Sequence, residues 1–197
     1  MDDDAVRDDW GARMAVLEKL FGSASGQVAH ATVPFEMGPG VGGAADVVYF
    51  EQWHPGELAV TAELLGRDEQ KLSALGNYEL AVCSRKAEPW ASNFISQLSH
   101  YTVAAALNPG ETMDIKPVVP KGSSVSAVLF DEIGSFQFRG KAAGVLLCIG
   151  ITAHELAACR EGRVQEVLNA LREKGIYPYT DLQRESVVRR KKLWGVF

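Results

Sequence analysis

Apolar residues recur along this chain with two distinct periods. Val145, Leu146, Leu147, Cys148, Ile149 and Ile151 form a nearly continuous run, far shorter than a membrane span. Such a run predicts a strand buried on both faces. Immediately after it, Thr152 and Glu155 stand three apart, the spacing at which an N-cap hydroxyl and a carboxylate satisfy each other's end of a helix. Val164, Val167, Leu168 and Leu171 then repeat at i, i+3, i+4 and i+7, which is one face of a helix. Lys174 falls in its last turn, and Gly175 follows where a left-handed residue closes a helix. The stretch 144–186 is therefore the expected centre of the core.

The same rules organise the rest. Asp8 or Asp9 is placed to cap a first helix whose stripe is Trp10, Met14, Leu17 and Phe21, and Gly22 ends it. A strand is expected over 27–35, followed by a flexible loop through GPGVGGAAD. Val47, Tyr49 and Trp53 alternate with Val48, Phe50 and Gln52. After the turn His54, Pro55, Gly56 the alternation resumes at Leu58, Val60, Ala62 and Leu64, so a hairpin with a three-residue loop is predicted. Residues 66–76 form a polar connection, and Tyr78, Leu80 and Val82 mark another strand. Pro89 suits a helix's first turn, and Trp90, Phe94, Leu98, Tyr101 and Ala105 predict one helix of more than four turns, stopped by Asn108, Pro109 and Gly110. An edge strand interrupted by Pro117 is expected over 115–119. Two strands, 125–130 and 136–138, should flank a turn at Ile133 and Gly134. Strands and helices without a regular βαβ rhythm predict an α+β fold, a single domain over 1–197 with one mixed β-sheet covered by helices.

Composition narrows the functional classes. The balance of 47% apolar and 23% charged residues in a chain of 197 is that of a globular protein. A net charge of −5 argues against nucleic acid or an anionic membrane as partner. The acidic opening MDDDAVRDDW has neither signal nor transit character. Cys83, Cys148 and Cys159 are odd in number, and the first two lie in apolar strands, so buried free thiols in a reducing, cytoplasmic setting are expected.

Candidate chemistry is sparse. Gly38 to Gly43 matches G-x-G-x-x-G in form, but a strand-like run follows it instead of a helix, and Pro39 removes an amide that would cradle phosphate. His154-Glu155 lacks the second histidine of a zinc helix, because position 158 is Ala. No G-x-S-x-G elbow occurs, and His30, His54, His100 and His154 sit on separate elements. Neither a catalytic set, a metal site nor a cofactor site is indicated. The basic run 189–192, followed by Trp194 and Phe197, reads as a solvated tail or a contact for an acidic partner. Residues 180–186, TDLQRES, are dense in hydrogen-bonding groups, and Asp181 and Arg184 are close enough to pair or to brace a turn.

Five segments in order resemble one family: Asn77-Tyr-Glu-Leu80 opening a strand, Pro89-Trp90 opening a helix, Asn108-Pro-Gly110-Glu111, Gly150-Ile-Thr152-Ala-His-Glu155-Leu156, and the terminal TDLQRES. They are similar to the suppressor-of-fused (SUFU) domain over about 28–190, with a helix and loop over 1–26 before it and a basic, aromatic tail over 187–197. The resemblance implies the fold of that family's N-terminal domain in a bacterial stand-alone member, with no catalytic activity and no cofactor. It implies a grip on a short extended segment of a protein partner by strand addition. Tyr101 and Glu111 match the family's partner-contact positions, and with Asp181 and Arg184 of its terminal motif they make up the implied partner-binding set. Bacterial members resemble immunity proteins, so the implied ligand is a toxin domain, with neither nucleic acid nor membrane involved and no oligomeric state indicated. Two rival readings stand beside it: a thiol-dependent enzyme using Cys159 or Cys83, whose site is assembled only in three dimensions, and a structural adaptor acting through the 194–197 tail.

Overall fold

In the computed structural model, which describes residues 3–188, the elements run in chain order as α1 (Asp3–Phe21), β1 (Ala24–Ala29), β2 (Val47–Phe50), β3 (Glu57–Thr61), β4 (Asn77–Ser84), α2 (Pro89–Leu98), α3 (Tyr101–Ala104), β5 (Thr112–Asp114), β6 (Val125–Phe138), β7 (Lys141–Thr152), α4 (Ala153–Arg160) and α5 (Val164–Glu173). The strands form one seven-stranded mixed sheet in the order β1-β2-β3-β4-β7-β6-β5. Among the named strands of the described residues, the pair β4 and β7 is parallel and the other pairings are antiparallel. The fold is α+β, as the element pattern predicts.

Period-two alternation sorts the strand residues onto two cores. From β4 and β7, Ala81, Cys83, Val145, Leu147, Ile149 and Ile151 face a core shared with Leu17, Phe21, Leu156, Val167, Leu168 and Leu171. Tyr78, Leu80, Val82, Leu146 and Cys148 point the other way, toward Phe94, Ile95 and Leu98 of α2. Helices α1, α4 and α5 thus cover one face and α2 the other. This explains why β7 reads as a nearly continuous apolar run from Val145 to Ile151. The capping box at Thr152 and Glu155 is formed at the start of α4. Gly175, at φ 62°, closes α5.

Several boundaries differ from expectation. Helix α1 is already formed at Asp3, so Asp8 and Asp9 lie inside it, and Asp9 pairs with Arg139. Strand β1 begins at Ala24 and ends at Ala29, because Asp46 then takes the chain out of the sheet: its carboxylate accepts from the Ala31 amide at 2.9 Å and lies 2.7 Å from His30 Nδ1. The Gly-rich segment is a loop with short 3-10 turns at Phe35–Met37 and Pro39–Val41. The hairpin of β2 and β3 exists, but its connection takes all of residues 51–56.

The edge strand lies before Pro117 and not around it. The Ile115 amide still donates to Ser126 O at 2.9 Å, after which Val118 N and Val119 N turn back onto the Ile115 carbonyl. The expected turn at Ile133 and Gly134 is a bulge inside one continuous β6, with the register shifting between Glu132 and Gly134. The long helix after Pro89 is interrupted at Ser99 and His100. There the Thr102 and Val103 amides bond three residues back, to Ser99 O and His100 O, and the Thr102 hydroxyl also donates to Ser99 O at 2.6 Å. Residues 189–192, Trp194 and Phe197 lie outside the described residues. No described helix is long and apolar enough to cross a membrane.

Candidate functional site

The break after α2 sets the geometry of the best-formed surface feature. Pro89 occupies the first helical turn, where its missing N–H costs nothing. Trp90 and Phe94 stack one turn apart, with ring centroids 5.0 Å apart and planes 9° from parallel. The Trp90 indole N–H donates to Val118 O at 2.9 Å, which ties the 115–118 turn to the start of α2. Beyond the break, Tyr101 opens α3 with 46% of its surface exposed. Between helix and turn lies a groove of about 430 Å3, walled by Trp90, Phe94, Leu98, Tyr101, Ile115 and Val118.

The groove runs along an open sheet edge. Among the described residues, strand β5 is the last in the sheet and pairs only inward, Met113 opposite Val128 and Asp114 opposite Ala127. Phe130 N donates to Glu111 O and Ile115 N to Ser126 O, so residues 111, 113 and 115 turn their backbone toward β6. Thr112 and Asp114, by the antiparallel alternation, present theirs to the outside. Such an edge is a template for another strand. Just before it, Asn108 and Glu111 lock a turn: the Glu111 carboxylate accepts from Asn108 N at 3.0 Å and from Asn108 Nδ2 at 3.2 Å. Tyr101 and Glu111 line one hollow of about 490 Å3 with Leu107, Met113 and Phe130.

Asp181 and Arg184 lie elsewhere and do not pair with each other. The Asp181 carboxylate accepts from Gln183 N at 2.9 Å, a local turn. Arg184 points inward, with 4% of its side chain exposed, and forks onto Glu155 while its Nη2 also donates to Gly150 O at 2.9 Å. Burial by itself would raise the Glu155 carboxyl, but the Arg184 guanidinium and the amides of Thr152 and Val187 hold it below the usual carboxylate range. Ser124 completes the corner by donating from its hydroxyl to Arg184 O at 2.6 Å and from its amide to Leu182 O at 2.8 Å. The TDLQRES segment thus braces the ends of β6, β7 and α4. The sequence-predicted set divides into Tyr101 and Glu111, brought together at the edge, and a structural corner built on Arg184.

The thiols are equally informative. Cys83, Cys148 and Cys159 are all free and buried. Burial pushes Cys83 up to about 12 and Cys159 up to about 11, and raises Cys148 as well. A nucleophilic cysteine needs the opposite shift. His100 does not reach toward a thiol but stacks on Phe35, with centroids 4.2 Å apart. His154 is exposed at the start of α4 while Glu155 turns inward. Among the described residues, no group of three or more His, Cys, Asp or Glu gathers as a metal would require.

Residues the sequence reading did not assign to the site are Trp90, Met113 and Val118. The available signal was the Val118-Val119 pair in a proline-broken segment. Val119 packs against the core beneath α2, while Val118 is left 55% exposed.

The fold is shared with proteins of known structure. The chain of the Sufu–Fu complex superposes with a TM-score of 0.68 at 14% identity, covering 91% of this chain and 92% of that one. The suppressor-of-fused homologue of Neisseria gonorrhoeae FA 1090 gives 0.60 at 20% identity, over 93% and 99%. Drosophila Suppressor of Fused gives 0.67 at 13% identity over 90% of this chain, which spans 50% of that longer one. No curated protein matches the sequence. The family model described as Suppressor of fused protein (SUFU) matches residues 54–185, from the β2–β3 connection through the Arg184 corner. On that match and the shared sheet and helices, this chain belongs to the suppressor-of-fused family.

Proposed function

We propose that this chain is a non-catalytic protein-binding module that takes an extended segment of its partner along β5, and that it serves as an immunity-type protein masking a toxin domain in the cytoplasm. The observation carrying the reading is the juxtaposition of an open strand edge with the hollow that Tyr101 and Glu111 share. Backbone bonds to Thr112 and Asp114 would supply affinity, and side-chain contacts in the hollow selectivity. The Sufu–Fu complex is a precedent for a protein partner on this fold. The net charge of −5 favours a basic target such as a nuclease, by steering encounter and excluding acidic competitors. Neither metal nor cofactor enters the mechanism, which is steric and electrostatic occlusion.

The test is affinity purification of the tagged full-length protein from its native cells, with the product of a neighbouring gene checked as a specific target. A stoichiometric partner whose toxicity is suppressed on co-expression is the expected result. Tyr101→Ala should then weaken that partner's binding by roughly tenfold or more. Thr112→Pro, which removes an outward N–H while leaving β6 paired, should do the same. A partner unaffected by both substitutions would place the interface elsewhere.

A further inference from the structure

The register of β5 specifies which side chains of an added strand would meet which wall. Met113 packs on, and Ile115 is buried in, the core beneath α2. By the two-residue period of a strand, side chains 111, 113 and 115 therefore share the α2 face, and Thr112 and Asp114 belong to the opposite one. Glu111 lines the hollow that wraps this edge, reaching Leu107 and Tyr101 on the α2 side and Cys159 on the other. A strand laid outside β5 would run roughly 4.8 Å away with the same period. Every second residue of it would point to the α2 face. One of these would stand beside Glu111, and the next beside Met113, at the mouth of the 430 Å3 groove.

The two ends of this face differ sharply in chemistry. At one end is a carboxylate oriented by the Asn108 amide and side chain and open to solvent. At the other is an apolar groove whose walls are set in advance, since Trp90 is stacked on Phe94 and hydrogen-bonded to the backbone of Val118. Preformed apolar walls hold a bulky side chain with little ordering cost. A carboxylate at a strand edge favours a cation directly across from it.

We propose that the groove beneath Trp90 is the anchor pocket for one bulky apolar side chain (Trp, Phe, Leu or Met) of an extended partner segment, and that Glu111 reads a Lys or Arg two residues away on that segment. This rests on the docking reading above and adds the partner's chemistry to it. The order of the pair depends on whether the added strand runs parallel or antiparallel to β5; the spacing of two does not.

The test pans a display library of randomised seven-residue peptides against the immobilised full-length protein. Enriched peptides should carry the apolar residue and the cation two apart. Val118→Asp, at an exposed position, should lower their binding by about tenfold or more. Glu111→Lys should invert the selection toward Asp or Glu at the cation's position. Enrichment that lacks the pair, or that ignores both substitutions, overturns the proposal, as does the absence of any enrichment. Thr112→Pro separates the two levels of the argument. Peptides without the pair that still depend on Thr112 would leave edge docking standing and remove the anchor rule, whereas peptides indifferent to Thr112 as well would remove both.

Discussion

Arg184 and Glu155, 29 positions apart in sequence, meet as a buried bidentate ion pair, with Nη1 2.7 Å from Oε1. Glu155 serves two structures at once: its Oε2 accepts the Thr152 amide in the α4 capping box, and its Oε1 accepts the Val187 amide at 2.8 Å. The pair therefore links the end of β7, the start of α4 and the C-terminal segment. Removing one member leaves the other charged and unpaired in the interior. Arg184→Ala or Glu155→Ala should cost about 3–5 kcal/mol, read as a lowered urea midpoint at pH 7. Arg184→Lys should recover little, because an ammonium cannot reproduce the fork. The Glu155 carboxyl is depressed in the folded state. Its contribution is therefore present above the ordinary carboxylate range and lost as pH falls through the lowered value. Wild type should lose stability on acidification in that range, and Glu155→Gln should lose less.

Glu79 should act in the opposite sense. It is wholly buried in β4, and burial pushes its carboxyl up to about 7 against hydrogen bonds from Thr61 and the Leu64 and Leu65 amides. A raised folded value contributes stability that is full below the unfolded value of 4.5 and lost as pH rises through about 7. The difference is on the order of 3 kcal/mol. A glutamine imitates the protonated acid, its carbonyl oxygen taking the two amides and its NH2 donating to the Thr61 hydroxyl. Glu79→Gln should match wild type near pH 5 and exceed it at pH 8. Equal stability of the two proteins at both pH values would contradict this account.

Native-state labelling tests the thiols. With Cys83, Cys148 and Cys159 buried and their thiols raised, a thiol reagent at pH 7.5 should modify all three slowly, with rates limited by opening of the structure. One cysteine reacting as fast as a free thiol would revive the enzymatic reading.

Gly76 offers a backbone test. It lies at φ 87°, and a Cβ there would fall 2.0 Å from Ala142 O, where the start of β4 passes the start of β7. Gly76→Ala should destabilise by more than about 1 kcal/mol, and it should do so without touching the groove. Peptide binding at β5, measured below the variant's melting temperature, should be unchanged.

Much of this was legible in the residues. The run at 145–151 reads as a strand buried on both sides, and it, the Thr152-Glu155 box and the 164–171 stripe formed as read, because each is a pattern written within a few consecutive turns or residues of chain. Tyr101 and Glu111 came from resemblance, and the fold brings them to one hollow. The errors share a cause. The continuous stripe from Trp90 to Ala105 hid a break, because periodicity does not register Ser99 and Thr102 hydroxyls competing for carbonyls. Gly134 suggested a turn, yet pairing with all of β7 carried β6 through it as a bulge. Asp181 and Arg184 are close enough to pair or to brace a turn; Asp181 braces one through the Gln183 amide, while Arg184 turns to the deeper and better-satisfied partner Glu155.

By itself the sequence determined the element types, the α+β class, the family motifs and the burial of Cys83 and Cys148, since each follows from local periodicity, turn chemistry or the apolar setting of a residue. Only the tertiary structure decided that β5 is an edge, that Arg184 turns inward, and that Trp90 and Val118 frame a groove beside Tyr101. Those outcomes depend on strand order and on contacts between residues far apart in the chain, and such contacts leave no periodic trace in the residues that make them.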